Sequence, residues 1–231
     1  SVSLHADKIV FSDSKNEITY NGLYKNAKAI GSAISEKTEA RNTPVLVFID
    51  RNIESVVSFF GVAMSGNFYV PVDRQLPVKR IELIVNTLNP KAAIVWERDM
   101  KILDEIGYEG ERLLYDDAIG YPVNEDRLAL IRKSAIDTDP LYAIFTSGST
   151  GVPKGVLVCH RSVIDLIENF AEVFDFDETR VFGNQAPFDF DVSVKDIYSS
   201  MKVGATLAVV PKQLFSRSLP RERLSSVLAM L

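Results

Sequence analysis

Thr146-Ser147-Gly148-Ser149-Thr150-Gly151-Val152-Pro153-Lys154-Gly155 packs three glycines, four hydroxyl side chains and one lysine into ten residues. Glycine lets the backbone take positive φ and approach a ligand closely, so successive N–H groups converge on one anion. The hydroxyls and Lys154 add side-chain donors, and the stretch reads as a phosphate cradle. The apolar run 141–145 before it and the shorter run 156–158 after it read as strands, which predicts a hairpin closed over a nucleotide. A P-loop would need glycine directly before the lysine and Ser or Thr directly after it. Pro153 and Gly155 stand there instead. The competing reading is a solvated Gly/Ser turn.

With 231 residues, 46% of them hydrophobic, the chain can bury a sizeable core as one or two domains. The net charge of −5 is spread without a basic run, so the broad electrostatic footprint of a nucleic-acid binder is missing and attraction for an anion must be local. No apolar run approaches the roughly 20 residues that span a bilayer, and no charged-then-apolar leader opens the chain. A cytoplasmic protein without membrane partners is the simplest expectation. The single cysteine, Cys159, excludes an internal disulfide framework and, from its apolar strand context, is expected in the core. The two histidines, His5 and His160, are too far apart in sequence to suggest a metal centre, and His160 opens a helix with a structural role.

Helical and strand periodicities alternate from the start, which predicts an α/β fold with mostly parallel sheets flanked by helices. Strands are expected at 17–20, 44–49, 67–72, 92–96, 181–186 and 205–210, with helices at 24–34, 54–65, 77–88 and 192–203. Residues 97–140 are charged and irregular and read as surface connection with short elements. Their acids, Asp104, Glu105, Glu109, Glu111, Asp116 and Asp117, lack ligand spacing and suit a solvated face better than a metal site. Val163, Ile164, Leu166, Ile167, Phe170, Val173 and Phe174 form one face of an amphipathic helix, expected to pack into the core. From Ser218 onward a last apolar stripe, Leu224, Val227, Leu228 and Leu231, is still running when the sequence stops. The chain is therefore expected to be a piece of a longer protein.

The glycine-rich stretch resembles the phosphate-binding signature of the adenylate-forming superfamily, which includes acyl-CoA synthetases, luciferases and nonribosomal peptide synthetase adenylation domains. Three further segments resemble its motifs in the same order. These are Ile18-Thr19-Tyr20 before a helix, Gly61 to Asp73 reading GVAMSGNFYVPVD, and Phe190-Asp191-Val192-Ser193 in the manner of the FDxS motif of amino-acid-activating members. In the second motif Gly66 suits a left-handed helix end and Pro71 a bend, both matters of packing. The stretch 185–196 looks especially like D-alanine-carrier protein ligases, with peptide synthetase adenylation domains close behind. The resemblance covers nearly the whole chain but only about the first half of a typical member. It implies an incomplete N-terminal AMP-binding domain with no C-terminal domain, residues 1–136 forming a first α/β portion and 137–231 the phosphate loop and the start of the amino-acid pocket.

The implied reaction is ATP-dependent. An amino acid's carboxylate attacks the α-phosphorus, pyrophosphate leaves, and the aminoacyl adenylate passes to a phosphopantetheine thiol of a carrier protein. By resemblance Thr146, Ser147, Ser149, Thr150 and Lys154, with the amides of Gly148 and Gly151, hold the β- and γ-phosphates, with Thr146 and Lys154 carrying the catalytic role. Phe190 walls the amino-acid pocket with Val192, and Asp191, a partly buried carboxylate, pairs with the substrate ammonium. Helix capping by Asp191 or Ser193 is the competing reading. Lys195 stands where the family pattern lines the side-chain end of the pocket. There it either favours a substrate carboxylate or lays its stem along the pocket with the ammonium in water. The adenine segment, the acidic Mg2+ ligand, the ribose aspartate and the terminal lysine are expected downstream, so no metal ligand is assigned here and the fragment alone is expected to be nearly inactive. An acyl-CoA synthetase and a non-catalytic nucleotide-binding module are the alternatives.

Overall fold

The computed structural model describes residues 3–146 and 153–211. Their elements run β1 (Ile9–Ser12), β2 (Glu17–Thr19), α1 (Tyr20–Thr38), β3 (Pro44–Ile49), α2 (Ile53–Met64), β4 (Phe68–Asp73), α3 (Val78–Leu88) and β5 (Ala92–Val95). They continue with α4 (Met100–Glu105), β6 (Glu111–Leu114), α5 (Tyr115–Ile119), α6 (Glu125–Ser134), β7 (Pro140–Thr146), β8 (Lys154–Cys159), α7 (His160–Phe174), β9 (Val181–Asn184), α8 (Val192–Val203) and β10 (Thr206–Val209). The described residues divide into two compact units, one within Tyr24–Asp50 and Glu54–Val163, the other within Ser1–Leu23, Arg51–Ile53 and Ile164–Leu231. No helix among them is long and apolar enough to cross a membrane.

The larger unit is built on a six-stranded sheet of order β6-β5-β3-β4-β7-β8. Its neighbours pair in parallel except β8, which returns antiparallel to β7. The central strand β3 is a run of Val45, Leu46, Val47, Phe48 and Ile49, all buried. A strand in a parallel sheet is covered on both faces, so it shows an unbroken apolar run rather than alternation. On one face Leu46, Phe48, Val70 and Val72 pack with Ile81 and Ile84 of α3 and Leu103 of α4. Pro71 does not bend the chain as expected but lies within β4 opposite Val47. The ladder from β4 to β7 is reduced to the pair Tyr69 and Tyr142, where a residue lacking N–H costs little.

Residues 97–140 form the short elements expected of them but not a mere surface connection. They contribute sheet strand β6 and helix α6, and Leu103, Tyr108, Leu113, Tyr115 and Ala118 are buried. Short elements hid their periodicity: α5 is only five residues long. Among the acids, Asp104 pairs with Arg112. Two further expectations of burial also fail. Cys159 is only partly covered at the end of β8, its Sγ 3.4 Å from Ser162 Oγ. On α7 only Val163 is buried, while Ile164, Leu166, Val173 and Phe174 are exposed.

The smaller unit has a four-stranded sheet of order β2-β1-β10-β9, in which β1, β10 and β9 run parallel and β2 antiparallel. β1 has only four residues and was not foreseen. Tyr20 is fully buried and donates to the Ala205 carbonyl at 2.8 Å, and burial pushes its phenol up to about 12.

Gly66 follows α2 with φ +74, and a Cβ there would lie 2.8 Å from Ile131 Cγ2. An L side chain would meet both the left-handed penalty and that contact. Gly66→Ala should therefore cost about 2 kcal/mol and lower the melting temperature by roughly 4–8 °C. An unchanged thermal melt would show that the left-handed turn is not required.

Candidate functional site

In the larger unit the glycine-rich stretch closes the hairpin of β7 and β8. Leu141, Tyr142, Ala143 and Ile144 are buried and anchor β7, and the register sets Thr146 opposite Lys154 and Phe145 opposite Gly155. Thr146 Oγ1 reaches the Lys154 carbonyl at 3.5 Å, and both residues are exposed. The register thus sets a hydroxyl-bearing and an ammonium-bearing residue opposite each other at the ends of the two strands, residue types whose donors suit an anion. Gly155 lies against the Phe145 ring, whose Cζ would be 3.0 Å from an added Cβ. Ser147, Gly148, Ser149, Thr150 and Gly151 lie outside the described residues.

A charge cluster that sequence reading missed sits past the carboxyl ends of β3, β4 and β5. Arg98 donates to Asp50 at 2.7 Å, and Arg74 Nε lies 3.2 Å from Asp99 Oδ1. Asp99 is fully buried, and burial raises its pKa against the lowering pull of Arg74 and Arg98. The signal was present in the adjacent pairs Asp50-Arg51, Asp73-Arg74 and Arg98-Asp99, each following an apolar strand. Among the described residues no group of three His, Cys, Asp or Glu is placed to hold a metal ion.

In the smaller unit residues 185–191 join β9 to α8. Phe188 turns inward and is 2% exposed, whereas Phe190 is 58% and Val192 46% exposed. Asp191 is exposed as well, which corrects the expectation of a partly buried carboxylate: the inward Phe188 anchors the turn and leaves the next residues outside. Asp191 stands at the N-cap position of α8 without a side-chain cap hydrogen bond. Ser193 does not cap either, since its Oγ donates to the Phe190 carbonyl at 2.7 Å. Lys195 makes an ion pair that neither expected course included. Its ammonium binds Asp196 Oδ1 at 2.8 Å and lies 5.0 Å from the centre of the Phe170 ring. Asp196 also accepts from Asn184 Nδ2 at 3.2 Å, tying the end of β9 to α8.

The chain is 28% identical over 207 residues to tyrocidine synthase 1 of Brevibacillus parabrevis, a match covering 90% of this chain and 19% of that protein. It is 30% identical over 224 residues to a D-alanine--D-alanyl carrier protein ligase of Bacillus anthracis, covering 94% of this chain and 42% of the ligase. The chain thus spans less than half the length of these relatives. The crystal structure of VinN with 3-methylaspartate superimposes with a TM-score of 0.78 at 18% identity, covering 90% of this chain and 58% of VinN, a likeness of fold. The family model for the AMP-binding enzyme matches residues 1–227. With the α/β architecture and the glycine-rich hairpin in place, the chain belongs to the AMP-binding enzyme family, and its fold is that of the N-terminal domain of adenylate-forming ligases.

Proposed function

We propose that the protein activates an amino acid as its aminoacyl adenylate at the expense of ATP, releases pyrophosphate, and passes the aminoacyl group to the phosphopantetheine thiol of a carrier protein. The observation that carries this reading is the family match, with the paired Thr146 and Lys154 at the mouth of the glycine-rich loop. Thr146, Ser147, Ser149, Thr150 and Lys154, with the amides of Gly148 and Gly151, would hold the β- and γ-phosphates and offset the charge that builds on the leaving pyrophosphate. Magnesium would add charge neutralisation there when bound. Residues 1–231 correspond to the incomplete AMP-binding portion, although the compact units do not divide at residue 137, since residues 137–163 belong to the larger unit and residues 1–23 to the smaller, and a use of ATP and a carrier protein suits the cytoplasm.

Asp191 would accept a charge-assisted hydrogen bond from the substrate ammonium, beside Phe190 and Val192. Its freedom from capping supports that role, because the carboxylate is not engaged by the helix it precedes. The ion pair of Lys195 with Asp196 supports a small uncharged substrate side chain over an acidic one, since the cation is already neutralised.

Amino-acid-dependent ATP–pyrophosphate exchange by the full-length natural protein, screened over D-alanine, L-alanine and acidic amino acids, tests the reading. Exchange with a small neutral amino acid is expected, and silence across the panel with activity on fatty or aryl acids would overturn it. Asp191→Ala should lower kcat/KM for the amino acid by at least about 100-fold through loss of a charged hydrogen bond, with ATP affinity retained. Asp196→Asn should release Lys195 and raise use of aspartate or glutamate relative to alanine by about tenfold. An unchanged ratio would remove Lys195 from the side-chain pocket. Residues 1–231 alone should show less than about 1% of the full-length exchange rate, since positioning and charge stabilisation depend on all parts being present.

A further inference from the structure

Within the smaller unit Arg51 places its N–H donors on residues 184–186 and on Val210. Nη2 donates to the Asn184 carbonyl at 2.8 Å and to Asn184 Oδ1 at 3.3 Å. Nη1 donates to the carbonyls of Gln185 at 2.8 Å and Ala186 at 3.0 Å, and Nε to that of Val210 at 3.1 Å. A guanidinium has five N–H donors, and all five are used. The acceptors lie at and just past the carboxyl ends of β9 and β10: the Asn184 carbonyl also accepts from Val210 N–H at 3.0 Å, and the carbonyls of 185, 186 and 210 lie beyond the strands. The guanidinium also lies 6.0 Å from the centre of the Phe188 ring, the inward anchor of the turn. Asn184, fully buried, passes the connection on through Nδ2 to Asp196 in α8.

We propose that Arg51 is a positioning residue for recognition of the substrate amine. It holds both ends of the turn that presents Phe190 and Asp191: the start directly through the carbonyls of 184–186, and the finish through Asn184 and Asp196. The inference rests on the reading of Asp191 as the partner of the substrate ammonium. Lysine cannot replace the clamp, because its ammonium has three donors on one atom and no planar fork to span successive carbonyls. Glutamine removes the charge as well. Within the turn the Phe190 N–H donates to the Pro187 carbonyl at 3.1 Å, and loss of the clamp leaves the segment freer to sample other geometries.

The test uses Arg51→Gln and the milder Arg51→Lys in the full-length protein, with two readouts. By amide hydrogen exchange, Phe190 and Val210 should exchange at least tenfold faster in R51Q, with β3 and β5 unchanged and R51K intermediate. By ATP–pyrophosphate exchange, R51Q should raise the KM for the amino acid at least tenfold and leave the KM for ATP within twofold. The Asp191→Ala background should show no further loss on adding R51Q, since both changes act on one interaction. Equal rises in both KM values, or unchanged exchange at Phe190 and Val210, would overturn the proposal. If the wild type activates no amino acid, the functional reading fails by itself, while the hydrogen-exchange comparison still decides whether Arg51 holds the turn. Should R51Q not fold, R51K carries the same comparison, with about threefold effects expected on both readouts.

Discussion

Burial of β3 on both faces is the constraint on which the rest depends. A parallel strand covered by helices on each side has no place for charge, because an ion taken from water into apolar packing is costly unless paired. Polar chemistry is therefore deferred to the ends of strands. β3 runs apolar from Val45 to Ile49 and then delivers Asp50 and Arg51, and β4 ends in Asp73 and Arg74. The glycine-rich loop follows the same logic, since β7 is buried through Ile144 and turns polar at Thr146.

Several of the charged groups released at strand ends meet an opposite charge or a row of carbonyls. Asp99 shows why this matters. It is fully buried with its pKa raised, and it is tolerated because Arg74 and Arg98 stand beside it. Arg51 uses backbone carbonyls in place of a carboxylate, which suits a planar cation with several donors. Lys195 is matched by Asp196 in the same way. Exposed and without a capping bond, Asp191 contrasts with these groups, and that contrast motivates its assignment to a ligand.

Elements with a long, regular pattern were legible in the chain itself. The expected 44–49 strand and the 192–203 helix coincide with β3 and α8, and the run before the glycines became β7. Short strands were legible where their runs stood out, as for β2, β5, β9 and β10, but β1 with four residues and α5 with five were not, being too short for a period to stand out from composition. The apolar stripe of α7 was visible, but its burial was misjudged, because amphipathicity shows that a face is apolar and does not show what covers it.

The amino-acid sequence by itself determined the α/β class, the order of the long elements, and the donor-rich composition of the stretch from Thr146 to Gly155, because these follow from local periodicity and from the donors a side chain carries. Tertiary structure alone decided that Thr146 faces Lys154, that Asp191 leaves its helix uncapped, and that Arg51 meets carbonyls more than 130 positions away. Local pattern cannot encode such pairings. They arise when distant strand ends are brought together and their unmatched polar groups must find partners.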